Sequence, residues 1–155
     1  KRAEGNFGLF SYLENSTKIL YNIEKSEQFA GFSVYTNNEA AFQAQKCINP
    51  KDREQFTTLN PSEAKKLGRR VLLRKDWEDI KVQVMKEIVT AKFEQNEDLQ
   101  QKLLDTGNAY LEEGNTWGDR VWGTVNGAGA NNLGKILMEV RENIRLEKDK
   151  DICLD

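Results

Sequence analysis

"DWEDIKVQVMKEIVTAKF", residues 76–93, places Trp77, Ile80, Val84 and Ile88 at helical spacing. The stretch predicts a helix opened by Asp76 and running to about Phe93, with Trp77 by default a core residue. Working outward, Asn60-Pro61-Ser62-Glu63 is a sharp helix start. Asn60 caps, Pro61 suits the first helical position and Glu63 stands at the capping-box position; Gly68 is its expected stop or a close-packing point. Asn37-Asn38 cap a helix over 39–46, on which Glu39, Gln43 and Lys46 share one face and Phe42 sits beside it. Downstream, Asn96 can cap a short helix with Leu99, Leu103 and Leu104 inward, ended by Gly107. Asn131 or Asn132 caps a last helix carrying Leu133, Ile136, Leu137, Val140 and Ile144.

Strand signals are fewer. "GFSVYT" alternates with period two, "NAYLEEG" reads as a strand, and residues 7–35 as short strands and loops. Strands do not alternate regularly with helices. The expected fold is therefore α+β, a predominantly helical single domain with a few short strands. It spans residues 1–148, followed by a charged tail, 149–155, expected to fray.

Composition removes whole classes of chemistry. The 155 residues are 38% hydrophobic and 31% charged, a globular balance, and the net charge of −2 supplies no global basic field. No run of apolar residues is long enough for a membrane span, and the start, KRAEGNFGLF, lacks the apolar stretch of a signal peptide. Cys47 and Cys153 form neither a metal-ligand spacing nor a disulfide pattern, which fits a cytoplasmic, reducing setting. There is no histidine. That excludes Ser-His-Asp and Cys-His nucleophile arrangements and every His-bearing zinc site, so proton transfer falls to Asp, Glu, Lys, Tyr, Cys or water. Neither metal nor cofactor is expected.

Four segments carry candidate chemistry. "GNTWGDRVWG", residues 114–123, sets Asp119 between two of the three tryptophans among glycines. Indoles stack on planar rings and glycines allow close backbone approach, so this reads as a substrate-binding loop. The competing reading is a loop pinned to the core with a solvated acid. Glu39 suits either a site or a first-turn acid favoured by the helix dipole. "GAGANNLG" places glycines before a helix N-terminus, but lacks the G-x-G-x-x-G spacing and the lysine and hydroxyl of a P-loop; a structural turn explains it equally. In the basic segment from Lys65 to Lys75, Arg69 beside Gly68 is the preferred phosphate clamp, against a solvated helix face.

In order along the chain, these pieces resemble the NADAR family of YbiA-like N-glycosidases. The matching motifs are "EAAFQAQK" at 39–46, "AKKLGR" at 64–69, "KDWEDIKVQVM" at 75–85, "KFEQN" at 92–96, "LLDTG" at 103–107, "LEEGNTWGDRVWG" at 111–123 and "GAGANNLGKILMEVR" at 127–141. The resemblance covers about residues 33–145, and "FSYLEN" more loosely. It implies hydrolysis of an N-glycosidic bond to ribose. The substrate would be an ADP-ribosyl-guanine adduct or a phosphorylated ribosylamino-pyrimidine intermediate of riboflavin synthesis. The partner is thus a small ribosyl or ADP-ribosyl molecule, carried on a single-stranded nucleic acid in one version. A non-catalytic module that holds ADP-ribose or a nucleotide is the alternative.

Carried over position by position, the resemblance makes Glu39 and Asp119 the catalytic acids. Trp77, Trp122 and Asn15 become substrate-binding residues, and Lys46, Asn131 and Gly134 pocket or scaffold positions; Lys46, Asn131 and, by its charge alone, Arg69 join the substrate-binding set. Two departures stand out. Ala40 occupies the place where the family commonly has histidine, and the family's Leu-Ser-Asn-Phe pattern appears as Leu13-Glu14-Asn15-Ser16. Cleavage of a ribosyl C1′–N bond builds positive charge on the sugar. One carboxylate can stabilise that charge while a second handles the proton of water or of the leaving nitrogen, and no histidine is needed.

Overall fold

The computed structural model describes residues 19–21 and 33–154. Of these, 19–21 and 33–95 belong to one compact unit and 96–154 to another.

The first unit opens with β1 (Ile19–Tyr21) and β2 (Ser33–Tyr35), paired antiparallel with Ile19 opposite Tyr35. In β2 the alternation of "GFSVYT" is realised: Tyr35 is buried and Val34 exposed. Four helices follow, α1 (Asn38–Ala44), α2 (Pro50–Glu54), α3 (Pro61–Gly68) and α4 (Trp77–Glu94). Asn37 caps α1 as expected, its Oδ1 accepting the Ala40 N–H at 2.8 Å. The capping box of α3 is complete: Asn60 Oδ1 accepts from Glu63 N at 2.8 Å, and Glu63 Oε1 accepts from Asn60 N at 3.0 Å. Helix α4 keeps the predicted stripe, with Trp77, Val84, Ile88 and Phe93 buried and Ile80 half-buried. Burying one such side chain contributes roughly 1.5–3 kcal/mol. Ala40, Ala41 and Ala44 carry little bulk and are buried, and α1 packs on both α3 and α4.

The second unit contains α5 (Glu97–Leu104) and α6 (Asn132–Leu154), which pack together. Leu99 and Leu103 of α5 are buried with Leu133, Ile136, Leu137 and Val140 of α6; Leu104 and Ile144 are half-buried. Gly107 ends the turn after α5 with φ of +61°, the left-handed conformation that glycine adopts without steric cost.

Three expectations are corrected. "NAYLEEG" is not a strand. Leu111, Glu112 and Glu113 are all buried, so the segment has no solvent face to alternate with, and its backbone bonds go elsewhere. The Asn131 side chain takes the Glu113 N–H and donates to the Leu111 carbonyl, and among the described residues backbone pairing is limited to the Thr124 N–H on the Glu113 carbonyl and a single bridge at Gly114. Second, the charged end is helical to Leu154, with Lys150 and Glu147 paired at 3.6 Å and spaced i,i+3. Third, α2 was not anticipated. Its signal is Asn49-Pro50, the same cap-and-proline pair as at Asn60-Pro61, with Asn49 Oδ1 accepting from Lys51 N at 2.9 Å.

Candidate active site

Helix α1 brings the first group of candidate residues together. Its cap fixes Glu39 in the first turn, where the residue is half-buried. Asn37 is itself held by its Nδ2 donating to the Leu59 carbonyl at 2.9 Å, so the entry to the helix is anchored from outside. One turn on, Gln43 Nε2 donates to Glu39 Oε1 at 3.1 Å.

Lys46 follows α1 and is half-buried. Its Nζ lies 3.4 Å from the Gly68 carbonyl and 6.0 Å from the centre of the Trp77 ring, the outer range of a cation–π contact. Burial lowers the pKa of its ammonium; the Glu39 carboxylate opposes that shift and the Arg69 guanidinium reinforces it. Glu39, Lys46 and Arg69, distant in sequence, thus share one electrostatic neighbourhood. Arg69 is exposed at the C-cap of α3. The following segment is docked by Arg74 N donating to the Lys46 carbonyl at 3.0 Å.

Trp77 is built into the core and adjoins Lys46. It is 5% exposed and packs on Phe42 with ring centres 5.0 Å apart, as a core tryptophan does, yet its ring also faces the Lys46 ammonium.

The second unit carries Asp119, Trp122 and Asn131. Asp119 is half-buried, and its Oδ1 accepts the backbone N–H groups of Val121 at 3.0 Å and Trp122 at 2.9 Å. Asn115 grips the same residue from behind. Its Nδ2 donates to the Asp119 carbonyl and its Oδ1 accepts the Asp119 N–H, at 2.8 and 2.9 Å. Asp119 therefore shapes its own loop through one oxygen, while Oδ2 receives no donor among the described residues. The two loop tryptophans part company: Trp117 is 62% exposed and Trp122 half-buried.

Asn131 is buried and adopts φ of +52°. Its amide donates to Tyr110 Oη at 3.2 Å and the Leu111 carbonyl at 2.9 Å, and accepts from Glu113 N at 2.9 Å. Those bonds tie the 110–113 segment to the start of α6. Gly134 is required there, since a side chain would collide with the Leu111 carbonyl and the Asn131 amide. Asn15 lies outside the described residues.

The "GAGANNLG" ambiguity resolves toward structure. The N–H groups of Ala130, Asn131, Asn132 and Leu133 donate to the carbonyls of Arg120, Gly123, Val121 and Trp122. The 120–123 segment occupies the place an anion would take at the start of α6, so phosphate binding by those donors is not available.

Two further residues escaped the sequence reading. Asn38, read there only as part of a cap, is 2% exposed beside Glu39, and neither atom of its amide has a hydrogen-bond partner among the described residues. Arg141 is buried, donating to Thr106 Oγ1 at 2.8 Å and the Ala109 carbonyl at 2.9 Å. Its position four residues after Leu137, in phase with the apolar stripe of α6, was the available signal.

This fold and these motifs define a class: the chain belongs to the NADAR domain family, whose model matches residues 1–145. It is 42% identical over 119 residues to the N-glycosidase YbiA of Escherichia coli strain K12, covering 74% of this chain and 74% of that protein. The NMR structure of E. coli YbiA matches it with a TM-score of 0.73 and 37% identity, over 92% of this chain and 81% of that one. The N-glycosidase Npun_R5314 of Nostoc punctiforme is 43% identical over 114 residues, 69% of this chain and 72% of that one. The riboflavin biosynthesis protein VVA0006 of Vibrio vulnificus is 38% identical over 117 residues, 73% of this chain but 32% of that longer one.

Proposed function

We propose that the chain is an N-glycosidase that hydrolyses the bond between a ribose C1′ and a nitrogen, with Glu39 and Asp119 as the two working carboxylates. The relatives named as N-glycosidases support the reaction type. The observation that carries the residue assignment is the arrangement around Glu39: a half-buried carboxylate gripped by Gln43 and coupled to the Lys46 ammonium, which Arg69 also adjoins. In the reaction the C1′–N bond breaks with its electron pair leaving on nitrogen. Water oxygen bonds to C1′, and one water proton ends on the leaving base. One carboxylate stabilises the cationic sugar and the other relays the proton. Asp119 suits such work because one oxygen fixes the loop and leaves the other for substrate.

The cationic pair Lys46 and Arg69 supplies a phosphate site, which both candidate substrates need: the ADP-ribosyl-guanine adduct and the phosphorylated ribosylamino-pyrimidine. Trp77 and Trp122 flank base or sugar, and Asn131 and Asn15 complete the binding set. Free Cys47 and Cys153 fit a cytoplasmic setting. Among the described residues no helix is long and apolar enough to cross a membrane.

One preparation assayed on both substrates tests the reading. Release of ADP-ribose from a modified guanine oligonucleotide, or of ribose 5-phosphate from the pyrimidine intermediate, is the expected result and names the substrate. Tight binding of ADP-ribose with no release from either would instead make the chain a nucleotide-holding module. Ala40, buried where the family commonly has histidine, is the feature that would then matter.

A further inference from the structure

We propose that Gln43 is a positioning residue that aims the Glu39 carboxylate, held in its own place by the surface of α3. This inference rests on the role proposed for Glu39.

Gln43 follows Glu39 by one helical turn, and its Nε2 donates to Glu39 Oε1 at 3.1 Å. A carboxylate only accepts hydrogen bonds, so the amide nitrogen must face it and the amide oxygen must turn away. That oxygen is buried and has no hydrogen-bond partner among the described residues. It rests against Gly68 of α3, where any added Cβ would overlap Gln43 Oε1 and Cδ. Gly68 is buried inside α3, so the requirement there is room for the glutamine.

A glutamate–glutamine pair on an exposed helix face exchanges freely with water. Here the glutamine is 8% exposed and locked from behind, and leaving its acceptor without a donor costs stability. An apolar side chain would fill the same space without that cost. What the amide adds is a fixed N–H donor to one oxygen of Glu39. The same glycine also receives Lys46 Nζ on its carbonyl, so α3 positions Gln43 and Lys46 together. Fixing a reacting group from behind is how a fold holds it near productive geometry.

The test compares the parent, Gln43→Met, Glu39→Gln and the double variant on whichever substrate the parent cleaves. Circular dichroism checks each fold. Methionine keeps the length and removes the donor. The expected result is a roughly tenfold fall in kcat with KM within about twofold, the signature of a misaimed catalytic group. In the Glu39→Gln background, Gln43→Met should cost nothing further, because a residue acting through Glu39 has nothing left to act on. If methionine prevents folding, Gln43→Leu removes the same donor without adding a charge and carries the same expectations. A parent-like kcat for the Gln43 variant beside a slow Glu39→Gln overturns this inference alone, as do losses that multiply in the double variant. A Glu39→Gln that keeps the parent rate overturns the proposed role of Glu39 and this inference with it.

Discussion

Lys92 shows at the residue scale how burial writes itself into pH dependence. The residue sits in α4 with no solvent exposure, and desolvation brings its ammonium pKa down from 10.5 to about 7. Between those two values the unfolded chain carries a proton there that the folded chain lacks, so the contribution of Lys92 to stability rises with pH across that window. Urea unfolding of the parent and of Lys92→Met, from about pH 7 to about pH 10, should show the parent gaining on the variant. A difference independent of pH would mean that the amine titrates alike in both states. Sequence could not have singled this lysine out. Lys92 lies four residues after Ile88, on the buried side of α4, but lysines at helix borders usually reach water along their stems. Glu39 and Asp119 were legible as candidates because zero histidines left carboxylates as natural proton carriers. Their hydrogen bonds were not, since an i,i+4 spacing permits a Glu39–Gln43 contact without requiring it.

Among the elements, α3 was the most readable. Asn60, Pro61 and Glu63 satisfy or omit the orphan N–H groups of the first turn of α3, and that accounting can be done on the sequence alone. Asn60→Ala should cost about 1 kcal/mol and lower Tm by roughly 2–4 °C. Thermal unfolding followed by circular dichroism measures it, and an unchanged Tm would show that Pro61 and packing suffice without the cap. The "NAYLEEG" segment failed as a strand for a reason no local pattern encodes. Among the described residues its backbone pairing is confined to one bridge, Gly114 with Thr124, and the Asn131 side chain, some twenty residues away, supplies a donor to Leu111 and an acceptor to Glu113 where a longer ladder would have run. The glycine-rich loop before α6 was undecidable for the same kind of reason. Whether a helix N-terminus binds phosphate depends on whether its donors are already spent, and here the carbonyls of residues 120–123 spend them.

At the scale of the whole molecule, composition excluded more than any motif could assert, and the ordered motifs then selected the family that the comparison confirms. The α+β, mostly helical class followed from helix signals outnumbering strand signals. The grouping of Lys46, Arg69 and Trp77 about α1 did not, because it depends on how α3 and α4 pack on that helix. The central claim is that two carboxylates, Glu39 and Asp119, carry one hydrolysis. Both can be neutralised at nearly constant size: glutamine keeps the size of Glu39, and asparagine keeps the Oδ1 acceptor that orders the 119–122 turn. The most direct measurement is the single-turnover rate of C1′–N cleavage by Glu39→Gln and by Asp119→Asn against the parent. The account predicts that each falls by at least about a hundredfold with the fold intact; a parent-like rate in either variant would contradict it.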